Sequence, residues 1–242
     1  MLTENFKVRY GEVMQNNIAP VWTLQNYAQQ TAAIDAQNLS SGWEDLSKSG
    51  TAWILMKISF KISGEIKSSQ NIKIKTWHVF SDKLKSRRDF IVFDENGNEA
   101  AKAVSWWLVF DTEKRKIART PENLLVKKDV IETAMEDIEV ARPSFEGQAP
   151  VNEYEIISRL EDTDLNGHVN NVHFTAWAVE GVPEGIRKNL KLTDITVNFK
   201  NEVKPGEIIK VTTYKTSDSR FWHILVRETD KKEISSAYSV WG

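Results

Sequence analysis

The 242-residue sequence contains no cysteine. Disulfides, thiolate metal ligands and a cysteine nucleophile are therefore excluded, and a reducing compartment, with the cytoplasm as the default, is the expected setting. Long apolar runs are missing as well. The densest, Ala103 to Phe110 (AVSWWLVF), falls far short of the ~20 residues of a spanning helix, so no membrane span is expected. The opening MLTENFKVRY has no apolar signal core, and no export is expected from it. Nor does one sign of charge dominate: 32 Lys and Arg against 34 Asp and Glu leave a formal charge of -2. The aromatics are not interleaved with a basic stripe, so nucleic-acid binding has no support and a charged partner must be met by a local patch.

What is present is an ordinary globular balance, 40% hydrophobic and 27% charged, in a chain long enough for one large domain or two of about 120 residues. The order of elements is duplicated. Setting Arg9 against Arg159 brings Asn16 to Asn166, Tyr27 to Trp177 and Ala28 to Ala178. Further on, Ile58 meets Ile195, Phe60 Val197, Ile62 Phe199, Glu65 Glu202, Thr76 Thr213 and Trp77 Tyr214. Each half reads as strand, turn, one long helix, then several alternating strands.

In the first half Pro20 opens a helix to about Ala36, with Val21, Leu24, Ala28 and Ala32 on one face. In the second, Phe174, Trp177, Ala178 and Gly181 share a face, and Gly181 with Pro183 marks the stop. Period-two runs such as Ile58, Phe60, Ile62 and Ile209, Val211, Thr213 are strands with one buried face. Glu95-Asn96-Gly97-Asn98 and Asp230-Lys231-Lys232 are hairpin turns, so consecutive strands pair antiparallel. The fold class is α+β, each half a curled antiparallel sheet around a buried helix. A connector lies between, with a short helix expected at Val130–Ile138.

The one dense polar cluster is Asp162-Thr163-Asp164-Leu165-Asn166-Gly167-His168-Val169-Asn170-Asn171, where a strand turns into the second helix. Asp164, Asn166 and His168 alternate, so an extended loop would project carboxylate, amide and imidazole together. The backbone amides of the following helix start, at Val169, Asn170 and Asn171, are a candidate site for a developing oxyanion. That combination suits acyl transfer to water. The competing reading makes Asp, Asn and Gly plain turn formers, with Asn170 or Asn171 a helix cap.

Asp164-x-Asn166-x-His168-Val169-Asn170-Asn171, followed by Phe174 and Trp177, resembles the signature of the acyl-acyl carrier protein thioesterases of plants and bacteria, and the resemblance covers the whole chain. It implies two tandem hotdog folds: an N-terminal one over 1–128 that binds the acyl chain, a connector over 129–149, and a C-terminal one over 150–242 that carries the catalytic residues. Arg9-Tyr10 and the Gly50-Thr51-Ala52-Trp53 segment agree with the first. The family's glutamate on a later strand of the second hotdog matches Glu202 in VNFKNE. Plant relatives often carry a cysteine next, where this chain has Val203, so a thiol nucleophile is not needed.

The activity so implied is hydrolysis of acyl-acyl carrier protein to free fatty acid by base-activated water, in fatty acid biosynthesis. Asp164, Asn166, His168 and Glu202 would be catalytic, with either Glu202 or His168 as the base. Opposite Asp164, Asn166 and His168 the first half has Met14, Asn16 and Ile18, so one active centre per chain is expected. The first half would hold the acyl tail along Leu24, Tyr27, Ala28, Ala32, Trp53 and Leu55, a stripe equally suited to plain core packing. No metal or cofactor is expected. The partner is an acyl carrier protein bearing a phosphopantetheine-linked acyl chain, steered by Lys83, Lys85, Arg87 and Arg88 or by Lys114, Arg115, Lys116 and Arg119. The protein would be a monomer or homodimer. Two alternatives are an acyl-CoA thioesterase and a non-catalytic double hotdog that binds acyl thioesters.

Overall fold

Strand propensity and turn chemistry act together in the computed structural model, which describes residues 1–125 and 132–242 and divides into two compact units, Met1–Asp137 and Ile138–Gly242. The first unit runs β1 (Leu2–Lys7), α1 (Val21–Asn38), α2 (Trp43–Lys48), β2 (Thr51–Ile62), β3 (Asn71–Ser81), β4 (Lys85–Phe93), β5 (Glu99–Asp111) and β6 (Lys116–Ala118). Its sheet has the order β1-β3-β4-β5-β2, antiparallel throughout, with β6 pairing antiparallel with the last residues of β5. The second unit runs β7 (Asn152–Ile157), α3 (Asn171–Glu180), α4 (Glu184–Asn189), β8 (Leu192–Phe199), β9 (Ile208–Ser217), β10 (Arg220–Arg227) and β11 (Lys232–Trp241). Its antiparallel order is β8-β11-β10-β9-β7.

Helix α1 follows Pro20 and buries Val21, Leu24, Ala28 and Ala32, as the spacing requires, but it extends to Asn38, two residues past the expected end. Strands β3 and β4 pack on it, and Phe60, Ile74, Phe90 and Val92 are fully buried in this unit; each large apolar side chain so removed from water contributes ~1.5–3 kcal/mol. Helix α3 is shorter, and its end is set by contact rather than by a left-handed glycine. Gly181 has φ -64°, and a Cβ there would collide with Thr213 Oγ1. The short helices α2 and α4 went unread in the sequence; both begin after Gly42 or Pro183 with acidic residues in the first turn, which favours a helix N-terminus.

In β4 the alternation fails, because Ser86, Arg87, Arg88, Asp89 and Phe90 are all buried. One face meets α1, where Arg88 Nη1 donates to Asp35 Oδ2 at 2.5 Å. The other is covered by residues 132–137: Ala134 N donates to Asp89 Oδ2 at 2.8 Å, Arg87 Nη2 to Met135 O at 2.7 Å and Trp77 Nε1 to Glu132 O at 2.7 Å. Asp137 accepts from Trp106 Nε1 and faces Lys57 Nζ at 2.9 Å. This strap is not the short helix expected at Val130–Ile138: Glu132–Ile138 is non-helical, its backbone spent on the sheet's side chains, while 130–131 lie outside the described residues. In the second unit Phe145 stacks on Tyr214 at 4.2 Å and Gln148 bonds the Lys215 carbonyl. Among the described residues, no helix is long and apolar enough to cross a membrane.

Candidate active site

The polar cluster begins with a 3-10 turn, Leu160–Asp162, locked by Asp162 Oδ2 accepting the Arg159 amide at 2.7 Å. A tight turn follows. Gly167 N donates to Asp164 O at 3.0 Å and Asp164 N to His168 O at 2.8 Å, with Gly167 at φ +73°, a conformation glycine adopts without penalty. The expected extended loop is therefore absent. Instead of projecting beside His168, the Asp164 carboxylate accepts the Asn166 amide at 2.8 Å and shapes the turn. Asp164 and Asn166 are exposed.

His168 leaves this turn half-buried, and Glu202 leaves the β8–β9 connection to meet it: Nε2 and Oε2 lie 3.4 Å apart. One backbone bond accounts for the meeting. Val169 N donates to Val203 O at 2.8 Å, and the residues preceding each, His168 and Glu202, are thereby neighbours. Val203 is fully buried, which anchors the loop. Asn201 Nδ2 donates to Glu233 O at 2.8 Å, tying the other side of Glu202 to the β10–β11 hairpin.

The amides expected to receive an oxyanion are largely engaged. Val169 N is used as just described, and Asn170 N donates to Asp162 O at 2.8 Å. Asn170 is the helix cap, its Oδ1 accepting Val172 N at 3.2 Å. Those two amides cannot serve an oxyanion without breaking the turn. Asn171 is the first residue of α3. Nearby, His173 Nδ1 lies 3.7 Å from Asp162 Oδ1, and burial holds its pKa below the ordinary imidazole value despite that carboxylate.

The first unit repeats the frame. Met14 N bonds Ile18 O at 2.9 Å, Asn17 N bonds Met14 O at 2.8 Å with Asn17 at φ +62°, and Ala19 N bonds Ile66 O at 2.7 Å. Ile18 and Glu65 thus hold the places of His168 and Glu202. Of the acyl-tail residues, Leu24, Tyr27, Ala28, Ala32 and Leu55 are buried and Trp53 is half-buried. The Tyr27 hydroxyl donates to Glu12, and burial together with that bond pushes its pKa up to about 12. Trp53 Nε1 donates to Ser41 O at 3.0 Å. The Lys83–Arg88 patch loses its two arginines as a basic surface, because Arg87 and Arg88 are buried against Asp89 and Asp35; Lys83 and Lys85 stay exposed, Lys85 over the Trp106 ring. Lys114, Arg115, Lys116 and Arg119 are exposed around β6. Among the described residues, no three His, Cys, Asp or Glu gather as a metal site requires.

The model of the acyl-ACP thioesterase N-terminal domain matches residues 1–127, and that of the C-terminal domain matches residues 146–242. The chain belongs to the acyl-ACP thioesterase family. It is accordingly a thiolester hydrolase with the double hotdog fold. Oleoyl-acyl carrier protein thioesterase 1 of Arabidopsis thaliana is 23% identical over 98% of this chain and 75% of its own length. The palmitoyl-acyl carrier protein thioesterase of Cuphea hookeriana is 24% identical over 98% of this chain and 61% of its own length, so part of that relative has no counterpart here. In fold, an acyl-ACP thioesterase from Bacteroides thetaiotaomicron superposes with a TM-score of 0.89 at 17% identity, covering 99% of this chain and 97% of its own. The 12:0-ACP thioesterase from Umbellularia californica gives 0.85 at 19% identity, over 100% and 96%.

Proposed function

We propose that this thioesterase releases free fatty acid from acyl-acyl carrier protein by water attack at a single centre made by Glu202 and His168, with Asn166 and Asp164 shaping its rim. The observation that carries the reading is the 3.4 Å imidazole–carboxylate contact in the one half whose turn retains Asp, Asn and His. A water bound beside the pair gives up a proton to it as its oxygen bonds the thioester carbonyl carbon. The tetrahedral intermediate then expels the thiolate, and the same pair returns the proton to sulfur. No covalent acyl-enzyme is needed. Asn166, its backbone pinned by Asp164, offers its exposed carboxamide to substrate or water.

The first unit, which lacks the imidazole, holds the acyl tail along α1 at Leu24, Tyr27, Ala28 and Ala32, with Trp53 and Leu55 from β2. The acidic carrier approaches the exposed Lys114–Arg119 cluster by electrostatic steering. We assign the reaction to the cytoplasm on the cysteine-free composition; the plant relatives are named chloroplastic. The test is hydrolysis of a panel of acyl-carrier and acyl-CoA thioesters by wild type, Glu202→Ala and His168→Ala. Faster release from the carrier, lost in both variants, is expected. Equal rates in all three enzymes defeat the site, preference for CoA defeats the carrier assignment, and binding without turnover makes the protein a non-catalytic binder.

A further inference from the structure

We propose that Arg227, the last residue of β10, is the positioning residue that fixes the Glu202 backbone so that its carboxylate stays against His168. The inference rests on the assignment of Glu202 to the chemistry. Arg227 Nη1 donates to the Glu202 carbonyl at 2.8 Å. Its other nitrogens form a fork on Asp230, Nε to Oδ1 at 2.9 Å and Nη2 to Oδ2 at 2.8 Å, and Nη1 lies 3.5 Å from Glu207 Oε2. A planar guanidinium held on one edge by a carboxylate presents its remaining donor in a fixed direction. Here that direction is the peptide oxygen of the residue whose side chain faces His168. The next carbonyl, Val203 O, is held by Val169 N at 2.8 Å. Two successive carbonyls are thus clamped from different sides, and little backbone freedom remains at Glu202.

The other half supplies an internal control. Its corresponding loop keeps the remaining features: Gln70 Oε1 accepts Lys67 N at 2.6 Å as Glu207 Oε2 accepts Lys204 N at 2.7 Å, and Ile66 O accepts Ala19 N. The guanidinium is missing. Since Thr76 corresponds to Thr213, and Lys73 pairs with Phe93 as Lys210 pairs with Val226, Arg227 falls opposite Asp94. Asp94 turns its carboxylate into its own hairpin, accepting the amides of Asn96 and Asn98. The arginine that forms the clamp thus stands in the half that has the imidazole, and an aspartate takes its place in the other.

The role predicts a pattern that loss of stability alone would not produce. With the acyl-carrier thioester that wild type hydrolyses fastest, Arg227→Met should lower kcat about 10–10²-fold with KM little changed, the cost expected of misplacing a reacting group by about 1 Å. Arg227→Lys, which can reach only part of this set, should recover a portion, and it stands in if the methionine variant does not fold. The deciding comparison is the double variant: Arg227 acts through Glu202, so adding Arg227→Met or Arg227→Lys to Glu202→Gln should slow that enzyme no further. Wild-type kcat in both single Arg227 variants, or a double variant slowed by the product of the single effects, overturns the role. Glu202→Gln at the wild-type rate removes the site reading itself and this inference with it, an outcome visible without any Arg227 variant.

Discussion

Ile18 and His168 stand in the same tight turn, carried by the same 3-10 entry and followed by a helix that starts at the same point. One is an aliphatic side chain with no proton to exchange, the other an imidazole that meets a carboxylate at 3.4 Å. Hydrogen bonds of the turn recur nearly bond for bond, from Met14 N–Ile18 O and Asp164 N–His168 O to Ala19 N–Ile66 O and Val169 N–Val203 O. The scaffold is thus common to both turns, which differ in the few side chains placed on it. A second difference lies in the interior. Where α1 is long, Asp35 reaches buried Arg88; where α3 stops at Gly181, Phe221 stands at the place of Arg88, and a buried polar group sits instead at the place of Phe90, where His223 lies between Thr213 Oγ1 and Ser239 Oγ.

The comparison breaks most sharply on rate. Glu202→Gln and His168→Ala should each lower turnover ~10²–10⁴-fold, whereas Glu65→Gln in the twin loop should leave steady-state hydrolysis close to wild type. A comparable loss from Glu65→Gln would mean the first unit retains a chemical role. In stability, Asp35→Ala should cost about 3–5 kcal/mol in urea unfolding, because Arg88 is left buried without its partner. Replacing both residues by methionine should return much of that loss. Gly167→Ala should cost roughly 1–2 kcal/mol for the left-handed conformation, and Asn17→Gly at the matching position almost nothing, since asparagine already tolerates it.

The smallest effect is on acid sensitivity. Burial lowers the pKa of His223 to about 3 and, with Arg88 nearby, that of His78 to about 4, against 6.5 for an ordinary histidine. Below pH 6.5 the unfolded chain takes up protons that the folded chain refuses, so the stability contributed by the neutral rings is complete above that pH and declines as pH falls toward those folded values. His223→Gln should therefore flatten the fall in Tm on acidification, and an unchanged slope in calorimetry would contradict the burial of this ring.

Local patterns carried most of the architecture into the sequence. Period-two strands, hairpin turns and the α1 stripe are short-range signals, and repetition of the whole order made two units readable. Residues lost from that reading are those whose partners are remote. Arg87 and Arg88 resemble surface charge until β4 is seen covered on both faces. Val169 and Asn170 resemble free helix-start donors until Val203 and Asp162 supply their acceptors. Glu202 was reached only through family likeness, since an acid at a strand end has no local mark, and Arg227 carries no motif at all. Asp164, read as converging with His168, proved to be engaged with the neighbouring amide.

Anyone wishing to study the halves apart should note where the strap ends. The family match to the N-terminal half stops at residue 127, short of Glu132, Ala134, Met135 and Asp137. A fragment cut at that boundary would leave two indole nitrogens and the Arg87–Asp89 pair facing solvent, and a sticky, poorly behaved preparation would then report the position of the scissors rather than the autonomy of the domain.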